Sequence, residues 1–175
     1  VVNVQNRHLV EAVTTQMLCG QSRVVEETVA AKKIRTRVVA RQIYVFAVAP
    51  SLGWTGPADA LVQHALDFLL NRLQQPDGTF ASSVQTDGTL VNGRFDLYEQ
   101  AFALFALARA HAHLPNARDT LAQQAALTLG TLNLTYRHPR QGYEESAPPS
   151  VPLKSNPHMH LFEATLAWEA CAPDD

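Results

Sequence analysis

The sequence predicts an all-α protein built from stacked helical hairpins with one short β-hairpin, and three observations carry that prediction. Five segments place apolar residues at helical spacing between stops marked by Pro and Gly. Helices that are apolar almost all round alternate with helices bearing one apolar stripe, the pattern of an inner and an outer layer. Extended runs are confined to the flanks of Gln85-Thr86-Asp87-Gly88, where Asp-Gly is a strong hairpin signal.

Each element has its own grounds. Residues 1 to 31 mix periods around Val2, Val4, Leu9, Val10 and Val13 until Gly20-Gln21-Ser22 interrupts them, so weakly packed helix is expected there. From about 33 to 52, Ile34, Val38, Arg41, Val45 and Val48 keep helical spacing, and Pro50-Ser51-Leu52-Gly53 supplies a stop. Pro57 suits the first position of a second helix, carried by Leu61, Ala65, Phe68, Leu69 and Leu73 to about residue 75. The hairpin follows within 79 to 91. A third helix, about 94 to 113, is apolar on most sides (Phe95, Leu97, Ala101, Phe102, Leu104, Phe105, Leu107) and belongs to an inner layer. A fourth, 118 to about 132, has one apolar stripe among Gln and Thr and belongs to an outer layer. Residues 133 to 157 form a long loop with Gly142 and the acidic pair Glu144-Glu145; loops of that length in a compact domain are usually functional or disordered. The fifth helix runs from about 158 to 171 and stops before Pro173.

Composition narrows the function. At 175 residues, 46% hydrophobic and 17% charged, the chain suffices for a single domain over 1–175 with a core of its own. A net charge of -2 and a pI near 6.4 provide no basic footprint for nucleic acid or an anionic membrane surface, and favour a small neutral ligand. Cys19 and Cys171 stand at opposite ends without metal-type spacing, so free thiols and a cytoplasmic location are expected. No apolar run reaches membrane-spanning length, and no secretory leader is read. Phosphate loops, nucleophile elbows and dinucleotide fingerprints are missing, which argues against the commoner phosphoryl, ester and nicotinamide chemistries.

Three constellations are candidates for a site. Asn156, His160 and Glu163 lie at i, i+4 and i+7 of the fifth helix and leave it on one side. Such a polar stripe is costly to bury without hydrogen-bonding partners, and a sugar with several hydroxyls would supply them. His158 and His160, at i and i+2, diverge by about 200°, so no shared metal ion is expected. Arg37, Arg41 and Tyr44 repeat the same spacing on the first long helix; two guanidiniums so placed call for carboxylate partners or an oxygen-rich ligand, against the alternative of a solvated basic face. Arg94, Tyr98 and Gln100 open the most apolar helix, where a phenol with an apolar body and polar tip could line a pocket floor, or serve structure alone. Asp96 complements that helix's N-terminus.

Three stretches resemble the N-acylglucosamine 2-epimerase superfamily, which includes mannose isomerases and other aldose-ketose isomerases: RTRVVARQIYVFA at 35 to 47, GRFDLYEQAFALFALARAH at 93 to 111, and SNPHMHLFEATLAWEA at 155 to 170. The likeness spans 35 to 170 and leaves 1–31 poorly matched. It implies part of an (α/α)6 toroid whose inner helices line a central sugar pocket, and aldose-ketose isomerisation or 2-epimerisation through a cis-enediolate, with no metal or other cofactor. By the same resemblance, Arg41 and His160 are the catalytic-site residues, Arg41 steadying the enediolate oxygen, while Tyr98, Asn156 and His160 hold sugar hydroxyls and Glu163 orients His160. A complete family toroid needs about twice this length, and the family's two proton-transferring histidines belong to later helices, so a truncated form lacking that pair is expected. Where many relatives read Tyr-Asp-His-Ala-Phe, this chain reads Tyr98-Glu99-Gln100-Ala101-Phe102. The implied partner is a sugar, with a homo-oligomer or a complementing half-barrel completing the ring. The alternative function is a non-catalytic carbohydrate-binding or scaffold half-toroid.

Overall fold

The computed structural model describes residues 33–172; the helix expected within 1 to 31, and Cys19, lie outside the described residues. Among the described residues five α-helices and one small sheet make up the fold. The sheet has three antiparallel strands in the order β1 (Ile34–Arg35), β2 (Ser83–Val84) and β3 (Leu90–Asn92), one strand more than the hairpin the sequence predicts. β1 is only two residues long and runs straight into a helix, so it leaves no periodicity to read. The turn between β2 and β3 is the Asp-Gly turn: Gly88 has φ 90°, and the Asp87 carboxylate accepts from the Thr89 N–H at 2.8 Å.

α1 (Thr36–Val48) buries Val39, Ala40, Ile43 and Phe46, then tightens into a 3-10 turn at Ala49–Leu52 and stops at Gly53, whose φ of 87° is the left-handed C-terminal geometry glycine permits. α2 (Ala58–Phe68) begins directly after Pro57 and closes with a π-helical turn, Leu69–Leu73, that keeps Leu69 and Leu73 fully buried. α3 (Leu97–His113) packs against α1 and α5 on its two flanks and against α4 and α2 elsewhere. This central placement is why its apolar residues run all round. α4 (Arg118–Thr135) buries only Leu121, Ala125, Thr128 and Leu132, a single stripe of 3.6-residue period.

α5 (Ser155–Cys171) starts three residues earlier than the expected 158. Pro157 lies in its first turn, where the missing N–H would have had no intrahelical partner, so the proline that reads as a loop residue is accommodated inside the helix. The long connection before α5 is anchored rather than free: the Phe95 and Tyr136 rings stack at 3.5 Å, and the Leu97 N–H donates to the Glu145 carbonyl at 3.0 Å. Inner helices α1, α3 and α5 thus alternate with outer helices α2 and α4. No helix among the described residues is long and apolar enough to cross a membrane.

Candidate functional site

The three inner helices lie parallel and in register, each turning one i, i+4, i+7 stripe to a shared face. Residues pair across it in ascending order: the Arg37 guanidinium lies 5.6 Å from the Tyr98 ring, that of Arg41 4.7 Å from Phe102, and the Tyr44 ring 5.4 Å from Phe105. From α5, the His160 ring meets Phe102 at 4.6 Å and Tyr98, edge-on, at 5.2 Å. Two cavities open on this face. The smaller, about 320 Å³, is lined by Arg41, Tyr44, Phe102, Phe105, His160 and Glu163. The larger, about 540 Å³, is lined among others by Arg41, Tyr98, Arg94, Lys154 and Asn156. They adjoin at Arg41, which lines both.

The sequence-derived candidates divide between these cavities. Arg41, His160 and Glu163 meet in the smaller one, and the His160 Nδ1–H donates to Glu163 Oε2 at 2.6 Å. In the neutral ring that bond puts the proton on Nδ1 and makes Nε2 the acceptor nitrogen. Tyr98 and Asn156 line the larger cavity, so the α5 stripe is shared between two chambers. Gln100 does not reach the site. It is fully buried, and its side-chain amide accepts from the Phe80 N–H at 2.7 Å and donates to the Phe80 carbonyl at 2.9 Å, standing in for a neighbouring strand. His158 turns away from His160 and lies 3.1 Å from the Tyr143 carbonyl. Among the described residues no three His, Cys, Asp or Glu side chains are grouped to hold a metal ion.

Arg37 finds the carboxylate its position calls for. Its Nη1 donates to Glu99 Oε1 at 2.5 Å, and its backbone N–H donates to Glu99 Oε2 at 2.7 Å. α1 has no capping side chain of its own, so Glu99 of α3 caps it from across the interface. Each of the other inner helices also has a carboxylate at its start, on α3 that of its own N-cap residue. Asp96 Oδ1 accepts from the Tyr98 N–H at 3.0 Å at the start of α3, and Glu145 Oε1 accepts from the Lys154 N–H at 2.5 Å at the start of α5. Burial pushes the Glu99 carboxyl above its usual value, outweighing the Arg37 backbone N–H and guanidinium that pull it down. Burial also raises Asp96, opposed by its bond from the Tyr98 N–H.

The aromatic wall of Phe102 and Phe105 escapes sequence reading because α3 shows no polar contrast to mark it. Glu99 and Glu145 escape because their partners lie on other elements; the only signal for Glu99 was the demand for a carboxylate near Arg37.

The family model described as N-acylglucosamine 2-epimerase (GlcNAc 2-epimerase) matches residues 24–175. The chain belongs to this family. The match begins ahead of the likeness read from residue 35 and takes in the end of the segment expected to be poorly matched. Among curated relatives, the chain is 41% identical over 135 residues to a mannose-6-phosphate isomerase of Rhizobium meliloti (strain 1021), covering 77% of this chain and 35% of that protein. It is 32% identical over 139 residues to a D-mannose isomerase of Thermobifida fusca, covering 77% and 34%. The chain therefore spans about a third of the length of these curated relatives. The cellobiose 2-epimerase from Spirochaeta thermophila DSM 6192 superposes with a TM-score of 0.71 at 22% identity, over 99% of this chain and 51% of that one. The alternating inner and outer helices are accordingly part of an (α/α)6 toroid, in a family of sugar epimerases and isomerases.

Proposed function

We propose that this chain forms the sugar-holding portion of an aldose-ketose isomerase or 2-epimerase for a mannose- or N-acylglucosamine-like sugar. The observation that carries the reading is the meeting of Arg41 and His160 over the Phe102 ring in one cavity, with His160 oriented by Glu163. In this chemistry a base removes the proton on the carbon beside a carbonyl, and negative charge gathers on the two oxygens of a cis-enediolate. Arg41, whose guanidinium has no carboxylate partner among the described residues, is free to donate to those oxygens. His160 Nε2 presents an acceptor to a sugar hydroxyl, while Tyr98 and Asn156 orient hydroxyls in the adjoining chamber. The rings of Phe102 and Phe105 supply an apolar wall suited to the C–H face of a sugar. Proton transfer itself falls, by the family resemblance, to histidines on later helices of the ring.

The test is thermal unfolding with mannose, fructose, glucose and N-acetylmannosamine, alongside NMR in deuterated water. A sugar-dependent rise in Tm that disappears in Arg41→Ala and His160→Ala is expected. An unchanged sugar response in both variants would sink the assignment. Deuterium appearing at C2 with aldose-ketose interconversion marks an isomerase, whereas a Tm response without exchange favours a carbohydrate-binding half-toroid.

A further inference from the structure

Three carboxylates stand at the starts of the three inner helices, and Asp96 is the most open of them. Glu99 is buried and gives one oxygen to the Arg37 backbone N–H and the other to its guanidinium. Glu145 is buried, accepts from the Lys154 N–H and lies 3.4 Å from His158 Nδ1. Asp96 is only half-buried, and it lines the larger cavity beside Arg41, Tyr98 and Asn156. Its Oδ1 accepts from the Tyr98 N–H at 3.0 Å, whereas among the described residues Oδ2 accepts no hydrogen bond and no cation stands within ion-pairing distance of either oxygen. A helix cap needs a single acceptor, and Asn or Ser supplies it as well as Asp. What the carboxylate adds is a second oxygen and a charge. Arg37 and Lys154, which line the same cavity, favour that charge against the burial that opposes it.

We infer that Asp96 is a substrate-binding residue whose Oδ2 accepts the proton of a sugar hydroxyl remote from the carbonyl, so that it sets which deoxy sugars the pocket rejects. This rests on the sugar-pocket reading proposed above and adds a specificity-determining contact to it. Arg41 lines both chambers and marks the carbonyl end, whereas Asp96 lines only the larger of the two, so its hydroxyl belongs to the far end of the sugar, at C4 or C6. An ionised carboxylate accepts and cannot donate, and a hydroxyl that donates to it makes a charge-assisted bond stronger than one between neutral groups. A sugar lacking that hydroxyl loses the bond and leaves Oδ2 without a partner at the sugar face. Asp96 thus serves two tasks with its two oxygens, one for the start of α3 and one for the ligand.

The experiment is isothermal titration of the full chain with mannose, 4-deoxymannose and 6-deoxymannose. Wild type is compared with Asp96→Asn and Asp96→Ser, which both keep an acceptor for the Tyr98 N–H and are expected to leave the ligand-free Tm nearly unchanged. Wild type is expected to bind mannose about tenfold tighter than one of the two deoxy sugars. Asp96→Ser is expected to bind mannose about tenfold more weakly than wild type does, yet to bind that deoxy sugar with wild-type affinity, because residue and hydroxyl make one bond between them. Asp96→Asn, which keeps the size of the side chain without its charge, falls between. Wild-type affinity for mannose in both variants overturns the inference and leaves Asp96 a cap alone. So does a loss in the variants that adds in full to the loss in each deoxy sugar, since Asp96 would then act without touching either hydroxyl. Arg41→Ala separates the two readings: mannose binding lost there but unchanged in the Asp96 variants fails this contact and keeps the pocket, whereas a wild type that binds no mannose fails both.

Discussion

The first and second turns of α1 carry the same side chain to opposite ends. Arg37 lies against a buried carboxylate that also caps its own helix, so its charge serves the fold. Arg41, one turn later, stacks on Phe102 between two cavities, with no carboxylate within ion-pairing distance among the described residues. Spacing, residue type and helix are the same; the difference comes from what α3 presents at each level, Glu99 beside Arg37 and an aromatic ring beside Arg41. A cation becomes available to a ligand where the neighbouring element declines to neutralise it.

Removing the acid is the strongest way to break this contrast. Glu99→Ala uncaps α1 and strands the Arg37 guanidinium, and is expected to lower stability by about 3 kcal/mol in urea unfolding. Gln100→Ala, on the next residue, leaves the buried Phe80 N–H and carbonyl unpaired, for an expected loss of about 2 kcal/mol by the same measurement. Arg41→Ala should cost stability only about 0.5–1 kcal/mol, the worth of its contact with Phe102, while abolishing the Tm response to sugar. A loss as large as that of Glu99→Ala would mean the second turn is structural too.

The smallest expected effect concerns pH. Burial raises the Glu99 carboxyl above its unfolded value of 4.5, so the folded state binds the proton more tightly than the unfolded chain. The stability this contributes is complete below about pH 4.5 and is lost as pH rises through the raised folded value. Arg37→Ala removes the main charge opposing that shift, so its destabilisation should be greater at pH 8 than at pH 4. In Glu99→Gln, where nothing titrates, Glu99's part of this pH dependence should vanish. Urea midpoints across pH 4 to 8 read both; a parallel loss at all pH values in Arg37→Ala would show that its role is packing rather than charge.

Much of this arrangement is legible in the sequence. The five helices, the inner and outer layers, the Asp-Gly turn and the two polar stripes of α1 and α5 follow from period and turn chemistry, because each of those signals is local. Arg41, His160 and Glu163 were singled out for the same reason, but in two separate stripes, one on α1 and one on α5; that they line one cavity is visible only in the structure. Phe102 and Phe105, which continue the stripe from Tyr98, were not singled out, since a helix buried on most sides hides which of its apolar residues faces a cavity. Gln100 was misread because a polar residue at a helix start looks like a site, although here it pairs with the backbone at Phe80.

The chain's own order of residues therefore determined the helices, the side on which each polar group leaves its helix, and the family. Only the tertiary structure decided which of those groups remain available. Helical periodicity fixes a side chain's direction within one element, whereas its neutralisation depends on an atom a few ångströms away on another, as Glu99 is to Arg37 across 62 positions of sequence.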